Sequence, residues 1–197
     1  MKTYKTLTII AIAILTVSCG KNAKQNNDTK PERVVETVNK ETGIISLTDY
    51  SHEDTLSIRG TKYTYKFSFQ AVDSLEHIKN TQGLEYLDNV VNLTILKGEE
   101  VVTKRTFYKS SFKSYVPSEL WQNSGLVGFS FNFVRQERDA FYFIATIGDP
   151  DETADISYPL EIRITTDGGM TINKAQNLDT EPLRDGLNID PSADDGV

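Results

Sequence analysis

Two histidines, a run of carboxylates and a group of aromatic side chains are the residues from which this chain could build chemistry. His52 and His77 each lie in a polar stretch, and neither has a second His or Cys at ligand spacing. Zinc is therefore not expected, and a surface histidine is the better reading of both. Asp149, Asp151, Glu152 and Asp155 set alternating carboxylates on a loop, as calcium sites do, but without the glycine and distal glutamate of an EF-hand. Solvated turn residues are the expected outcome there. No Gly-x-Ser-x-Gly elbow is present, and triads or paired acids are assembled only in space. No catalytic residue, metal or cofactor is assigned.

The aromatic residues are more informative. Most of the nine Tyr and nine Phe alternate within apolar stretches and must be core, but Tyr108, Phe112, Tyr115 and the single Trp121 gather around a loop and a short helix. Aromatic groups on loops over a rigid sheet suit carbohydrate or peptide recognition. The competing and favoured expectation is a lid closing one end of the core.

The only cysteine, Cys19, follows an almost unbroken apolar run, Leu7 to Leu15, with Lys2 and Lys5 ahead of it. The run has secretory-signal length and falls short of the roughly 20 residues that span a bilayer. Thr16-Val17-Ser18-Cys19 resembles the lipobox of bacterial lipoproteins, with threonine where leucine is usual. Residues 1–18 are thus expected to be a cleaved signal, and the Cys19 thiol to carry a thioether-linked lipid. Each buried methylene contributes about 0.8 kcal/mol, so several acyl chains hold a protein at the membrane where one does not.

With Cys19 modified no disulfide remains, and packing alone must stabilise the fold. The formal charge of −7 becomes −9 once Lys2 and Lys5 leave with the signal, which argues against nucleic acid as a partner. Residues 19–40 are polar with few large apolar groups, which suits a flexible tether. Val34, Val35 and Val38 supply at most one weak helical turn. Residues 177–197 read as an acidic tail, leaving residues 41–176 as the folded domain.

Within that domain the hydrophobic period is two, the mark of half-buried strands. Tyr63, Tyr65, Phe67 and Phe69 share one face, as do Val127, Phe129, Phe131 and Phe133. Val91, Leu93, Ile95 and Leu160, Ile162, Ile164 repeat the pattern, while Arg138 to Ile147 is apolar on both faces and suits a central strand. Ile44 to Asp49, Thr55 to Ile58 and Val101 to Tyr108 are further candidates. Lys97-Gly98-Glu99 and Asp167-Gly168-Gly169 read as hairpin turns, and Gly148-Asp149-Pro150-Asp151 as a break. Pro117 to Trp121 predicts a short helix, and Leu75 to Ile78 a second, weaker one. About eight strands without βαβ alternation predict an all-β antiparallel β-sandwich, with a barrel as the alternative.

Lys62-Tyr63-Thr64-Tyr65, Tyr86-Leu87-Asp88-Asn89, Phe107-Tyr108-Lys109-Ser110-Ser111-Phe112 with Tyr115, Ala140-Phe141-Tyr142-Phe143 and Asp149-Pro150 resemble a lipoprotein family of Bacteroidetes, the domain of unknown function numbered 4738. The resemblance covers about Ile44 to Asn173 and carries no activity with it. It implies an outer-membrane lipoprotein. Because Gly20-Lys21-Asn22-Ala23-Lys24 lacks the acidic stretch of surface-exported members of that phylum, it implies one that faces the periplasm, with the cell surface as the alternative. It also implies O-glycosylation acceptors at Thr55 in Asp54-Thr55-Leu56 and Ser74 in Asp73-Ser74-Leu75, against a chance match of a short pattern. The functional expectation is a non-enzymatic envelope module that binds a glycan, a peptide or another envelope protein. A lipocalin-like small-ligand carrier is the first alternative, and a hydrolase the second.

Overall fold

Strand β4 (Thr61–Ala71) shows how the pattern becomes structure. Its Tyr63, Tyr65, Phe67 and Phe69 are all buried, while Lys62, Thr64, Lys66 and Ser68 turn to the other side, as the two-residue repeat of a pleated strand requires. The computed structural model describes residues 36–135, 137 and 139–176. In chain order their strands are β1 (Glu36–Val38), β2 (Ile45–Leu47), β3 (Tyr50–Ile58), β4, β5 (Ile78–Lys79), β6 (Glu85–Tyr86) and β7 (Asn89–Lys97). There follow β8 (Glu100–Tyr108), a 3-10 turn (Lys109–Phe112), helix α1 (Ser118–Trp121), β9 (Gly125–Phe131), β10 (Phe141–Gly148), β11 (Ser157–Ile164) and β12 (Met170–Lys174).

Two antiparallel sheets, β3-β4-β7-β8 and β12-β11-β10-β9, pack face to face as a sandwich, and a small third sheet, β1-β2-β6-β5, contains one parallel pair. No barrel closes. Aromatic rings fill the space between the two large sheets, where a lipocalin-like carrier would need a cavity. Tyr65 stacks on Phe131 at 4.5 Å, Phe67 meets Phe129 edge-on at 5.0 Å, and Phe129 stacks on Phe143 at 5.4 Å. Each such pair contributes about 0.5–1.5 kcal/mol beyond the burial of its area.

Strand β10 is central and buried on both faces, as its sequence predicts. Phe141, Phe143, Ala145 and Ile147 face the core. On the opposite face Tyr142 lies under the Arg135 guanidinium at 4.7 Å, and its hydroxyl donates to Asp139 at 2.7 Å. That hydrogen bond, with Arg163 at 2.8 Å from the same carboxylate, holds the Asp139 carboxyl down at about 2. Both predicted hairpins form, with Gly98 and Gly168 at φ 61° and 86°, where a side chain would be strained.

Four expectations are corrected. A β-bulge at Val127 of β9, opposite Thr146 and Ile147 of β10, shifts the register, so Leu126 enters the core and Val127 is only partly buried against it. Strand β9 ends at Phe131, and Phe133 stays 47% exposed on the following loop. Leu75 to Ile78 is not helical: Ile78 starts β5 and is buried with Ile45 and Tyr86, so tertiary pairing overrides local preference. Glu36–Val38, assigned to the tether with Val38 in a helical turn, is instead a strand on β2, and the Glu36 carboxylate accepts the Tyr86 hydroxyl at 3.1 Å. The signal, Cys19, the rest of the tether and the 177–197 tail lie outside the described residues. Among the described residues no helix is long and apolar enough to cross a membrane.

Candidate functional site

Strand β9 ends its sheet, so one row of its backbone groups needs partners from outside that sheet. The opposite sheet supplies them. The Tyr50 hydroxyl donates to the Phe129 carbonyl and accepts from the Phe129 amide, both at 2.8 Å. Asp88 Oδ1 accepts from the Leu126 amide at 3.0 Å and the Asn89 amide at 2.8 Å, and Asn89 Nδ2 donates to the Leu126 carbonyl at 2.9 Å. The Asp88-Asn89 pair of the Tyr86-Leu87-Asp88-Asn89 motif is therefore an edge cap. Burial, only partly offset by its bonds to Phe129, pushes the Tyr50 hydroxyl up to about 12.

The other side of Asp88 opens on a groove of about 580 Å³. Its walls come from the segment between β4 and β5 (Leu75, Glu76, His77), from the end of β8 and the 3-10 turn (Tyr108, Lys109), and from Trp121 of α1. The 3-10 turn explains this placement. Phe112 drops fully into the core and stacks on Phe107 at 5.9 Å, and the Lys109 ammonium comes to rest 4.7 Å from the Trp121 ring centre. Asn123 ties the segment after α1 to β5 through a 2.8 Å bond to the Lys79 carbonyl.

Electrostatically the groove is under tension. Burial raises the Asp88 carboxyl, opposed by the Leu126 and Asn89 amides and by Lys109. Burial lowers the Lys109 ammonium, opposed by Asp88 and Glu76. His77 is held between two acids, Nδ1 at 2.8 Å from Glu85 and Nε2 at 3.5 Å from Asp73, and the bond to Glu85 raises it above the ordinary histidine value. Perturbed groups that converge in a cleft mark a functional candidate.

The aromatic group of the sequence is thus divided. Phe112 is core and cannot form part of a surface, which corrects that assignment. Trp121 and Tyr108 line the groove, whereas Tyr115, 43% exposed, lies outside its walls. Sequence reasoning missed Lys109, Asp88 and Glu76 as site residues. The first two stood inside motifs that read as purely structural.

The acidic loop forms a second concavity of about 210 Å³, lined by Asp149, Asp151, Glu152 and Asp155 among others. Two of its carboxylates, Asp149 and Asp151, are engaged. Asp149, buried, accepts from the Thr81 amide at 3.0 Å, the Thr81 hydroxyl at 2.7 Å and the Asp151 amide at 2.9 Å. Asp151 caps the next turn by accepting from Thr153. Among the described residues no three His, Cys, Asp or Glu side chains converge as a metal set. His52, read as a surface residue, is half-buried on β3 with its ring 5.6 Å from Phe67. Thr55 is exposed on β3, its amide donating to Asp54 at 2.6 Å, and Ser74 is exposed in the turn after β4.

Fold and groove define a class: an all-β sandwich with one side-chain-capped edge and a lidded polar groove beside it. Residues 29–172 match the family described as Domain of unknown function (DUF4738), and the chain belongs to that family. The match starts ahead of Ile44 and takes in the β1 segment. No curated protein matches the chain.

Proposed function

We propose that this chain is a lipid-anchored, non-enzymatic binding module of the bacterial envelope, facing the periplasm from the outer membrane, with its ligand seated in the groove between Trp121 and His77. The observation that carries the binding reading is the state of Lys109. Its half-buried ammonium rests on an indole and makes no hydrogen bond or ion pair within 4.0 Å among the described residues. Burying a cation without a hydrogen-bonding partner costs free energy that a bound acceptor would recover. Among the described residues the same groove leaves Asp88 Oδ2 without a donor, since both amide bonds fall on Oδ1. Anchoring is supported by the lipobox-like Thr16-Val17-Ser18-Cys19 after an apolar run.

The two halves of the proposal are tested separately. Cells fed labelled palmitate should label the wild-type chain and not Cys19→Ala, and only the wild type should fractionate with membranes; equal labelling would remove the anchor. For binding, Trp121 is the single tryptophan, so its emission reports on the groove. A ligand whose titration shifts that emission in the wild type and not in Lys109→Met supports the site. A ligand that binds equally well to both proteins places binding elsewhere.

A further inference from the structure

We infer that the groove is shaped for an uncharged, hydroxyl-rich ligand, a short neutral carbohydrate segment, held by Lys109, Asp88 and Glu76 against the rings of Trp121 and Tyr108. The inference rests on the binding reading above and specifies its ligand. Three features of the walls carry it. The first is the pairing of free donor and free acceptor. Among the described residues Lys109 has three N–H donors with no acceptor, and Asp88 Oδ2 is an acceptor with no donor, both in one groove. A hydroxyl accepts and donates at once, so a single sugar hydroxyl bridges the two, and neighbouring hydroxyls reach Glu76 and Gln122 on the same walls. Hydrogen bonds with one ionised partner are the stronger kind.

The second feature is the charge balance. His77 already faces Glu85 and Asp73, so the groove-facing charges left without an ion pair are Lys109 against Asp88 and Glu76. An anionic ligand satisfies Lys109 but meets two carboxylates. A cationic one meets those carboxylates but is repelled by the ammonium. A zwitterion matches both signs, yet must shed water from two full charges of its own and makes no use of the ring faces. A neutral polyol has none of these costs.

The third feature is shape. The indole and phenol rings stand beside Leu75 and Ile78, giving flat apolar patches for the C–H faces of pyranose rings. The groove's 580 Å³ falls within the roughly 300–1,000 Å³ of small-ligand sites.

The test uses the purified chain and titration calorimetry with parallel Trp121 emission. The probes are cellobiose, maltose and N,N′-diacetylchitobiose as neutral disaccharides, digalacturonate as an acidic one, and dialanine as a zwitterion. At least one neutral disaccharide should bind and shift the emission, at least tenfold more tightly than digalacturonate or dialanine. Lys109→Met and Asp88→Asn should each weaken it tenfold or more. The Asp88→Asn side chain keeps an oxygen for the Leu126 and Asn89 amides, and unchanged melting temperatures would confirm that both variants remain folded. Preference for dialanine or digalacturonate at the same site overturns the carbohydrate inference and leaves the binding reading standing. A neutral disaccharide that binds both variants as tightly as wild type also overturns it. If no probe of any class binds or moves the emission, both fall.

Discussion

The acidic loop after β10 and the groove beneath Trp121 both gather charged side chains at the surface, and they differ in what those side chains are doing. In the loop every oxygen of Asp149 has a donor, and Asp151 is occupied by Thr153. In the groove Lys109 has no acceptor among the described residues, and Asp88 uses one oxygen while the other is left over among them. Polar groups engaged by the chain's own backbone hold a fold together. Polar groups brought into a cleft and left without partners raise the free energy of the unliganded protein, and a ligand can recover that cost. Asp88 stands on the boundary, with Oδ1 in the first role and Oδ2 available for the second.

If that contrast is right, removing an engaged group should cost the most stability. Asp149→Ala strips the Thr81 amide, the Thr81 hydroxyl and the Asp151 amide of their acceptor in one step. We expect a loss of about 3 kcal/mol in urea unfolding, and about half that for Asp149→Asn, which keeps one carbonyl oxygen. A loss below about 0.5 kcal/mol for Asp149→Ala, the range of ordinary surface substitutions, would return the loop to the solvated turn first expected. Tyr50→Phe comes next, because it leaves both backbone groups of Phe129 without partners at the β9 edge. About 1–3 kcal/mol should be lost. The same bond has a pH signature. The folded Tyr50 value of about 12 lies above the ordinary tyrosine value of 10.0, so its contribution is complete below pH 10 and disappears as pH rises through 12. Ultraviolet titration of wild type against Tyr50→Phe isolates this one phenol, and its ionising near pH 10 would remove the cap.

Why the sequence foretold one region and not the other follows from what each depends on. Alternation is local, so β4 and the two-faced β10 could be read from neighbouring residues, and glycine at Gly98 and Gly168 announced the hairpins. The shift of Leu126 for Val127 was hidden, because the bulge arises from pairing with Thr146 and Ile147 and leaves no mark on β9 alone. Strand β3 was only half visible, since Ser51 to Asp54 is polar and is recruited by pairing with β4. The groove was partly legible: Trp121 and Tyr108 stood out as aromatics off the strands, but Phe112 was indistinguishable from them until the 3-10 turn pointed it inward. Lys109, Asp88 and Glu76 meet only in space, and nothing in their spacing announces a shared wall.

The unengaged groups give the smaller effects. Lys109→Met keeps the side chain's length against Trp121 and removes the buried charge, so stability should stay within about 0.5 kcal/mol of wild type. A loss greater than about 1.5 kcal/mol would mean that the ammonium is a structural partner after all, and the contrast between the two regions would fail at its main residue.

The finest test is His77, which lies on the groove wall but is engaged, like Asp149, by Glu85 and Asp73. Its folded value is raised above 6.5, chiefly by the bond to Glu85. The stabilisation from the imidazolium is therefore fully present below pH 6.5 and is lost as pH climbs through the raised folded value. His77→Gln should cost more at about pH 5.5 than at about pH 8.5, by a few tenths of a kcal/mol, because solvent screens pairs this near the surface. The lower pH is chosen so that Glu85 and Asp73 are still ionised. Proton resonances of the His77 ring, followed against pH, read the same linkage directly and should place its midpoint above 6.5. If His77 titrates at or below 6.5, its acids do not hold it. The wall from Asp73 to His77 would then lack its acid fastening, and the groove would be a less permanent feature than the acidic loop after β10.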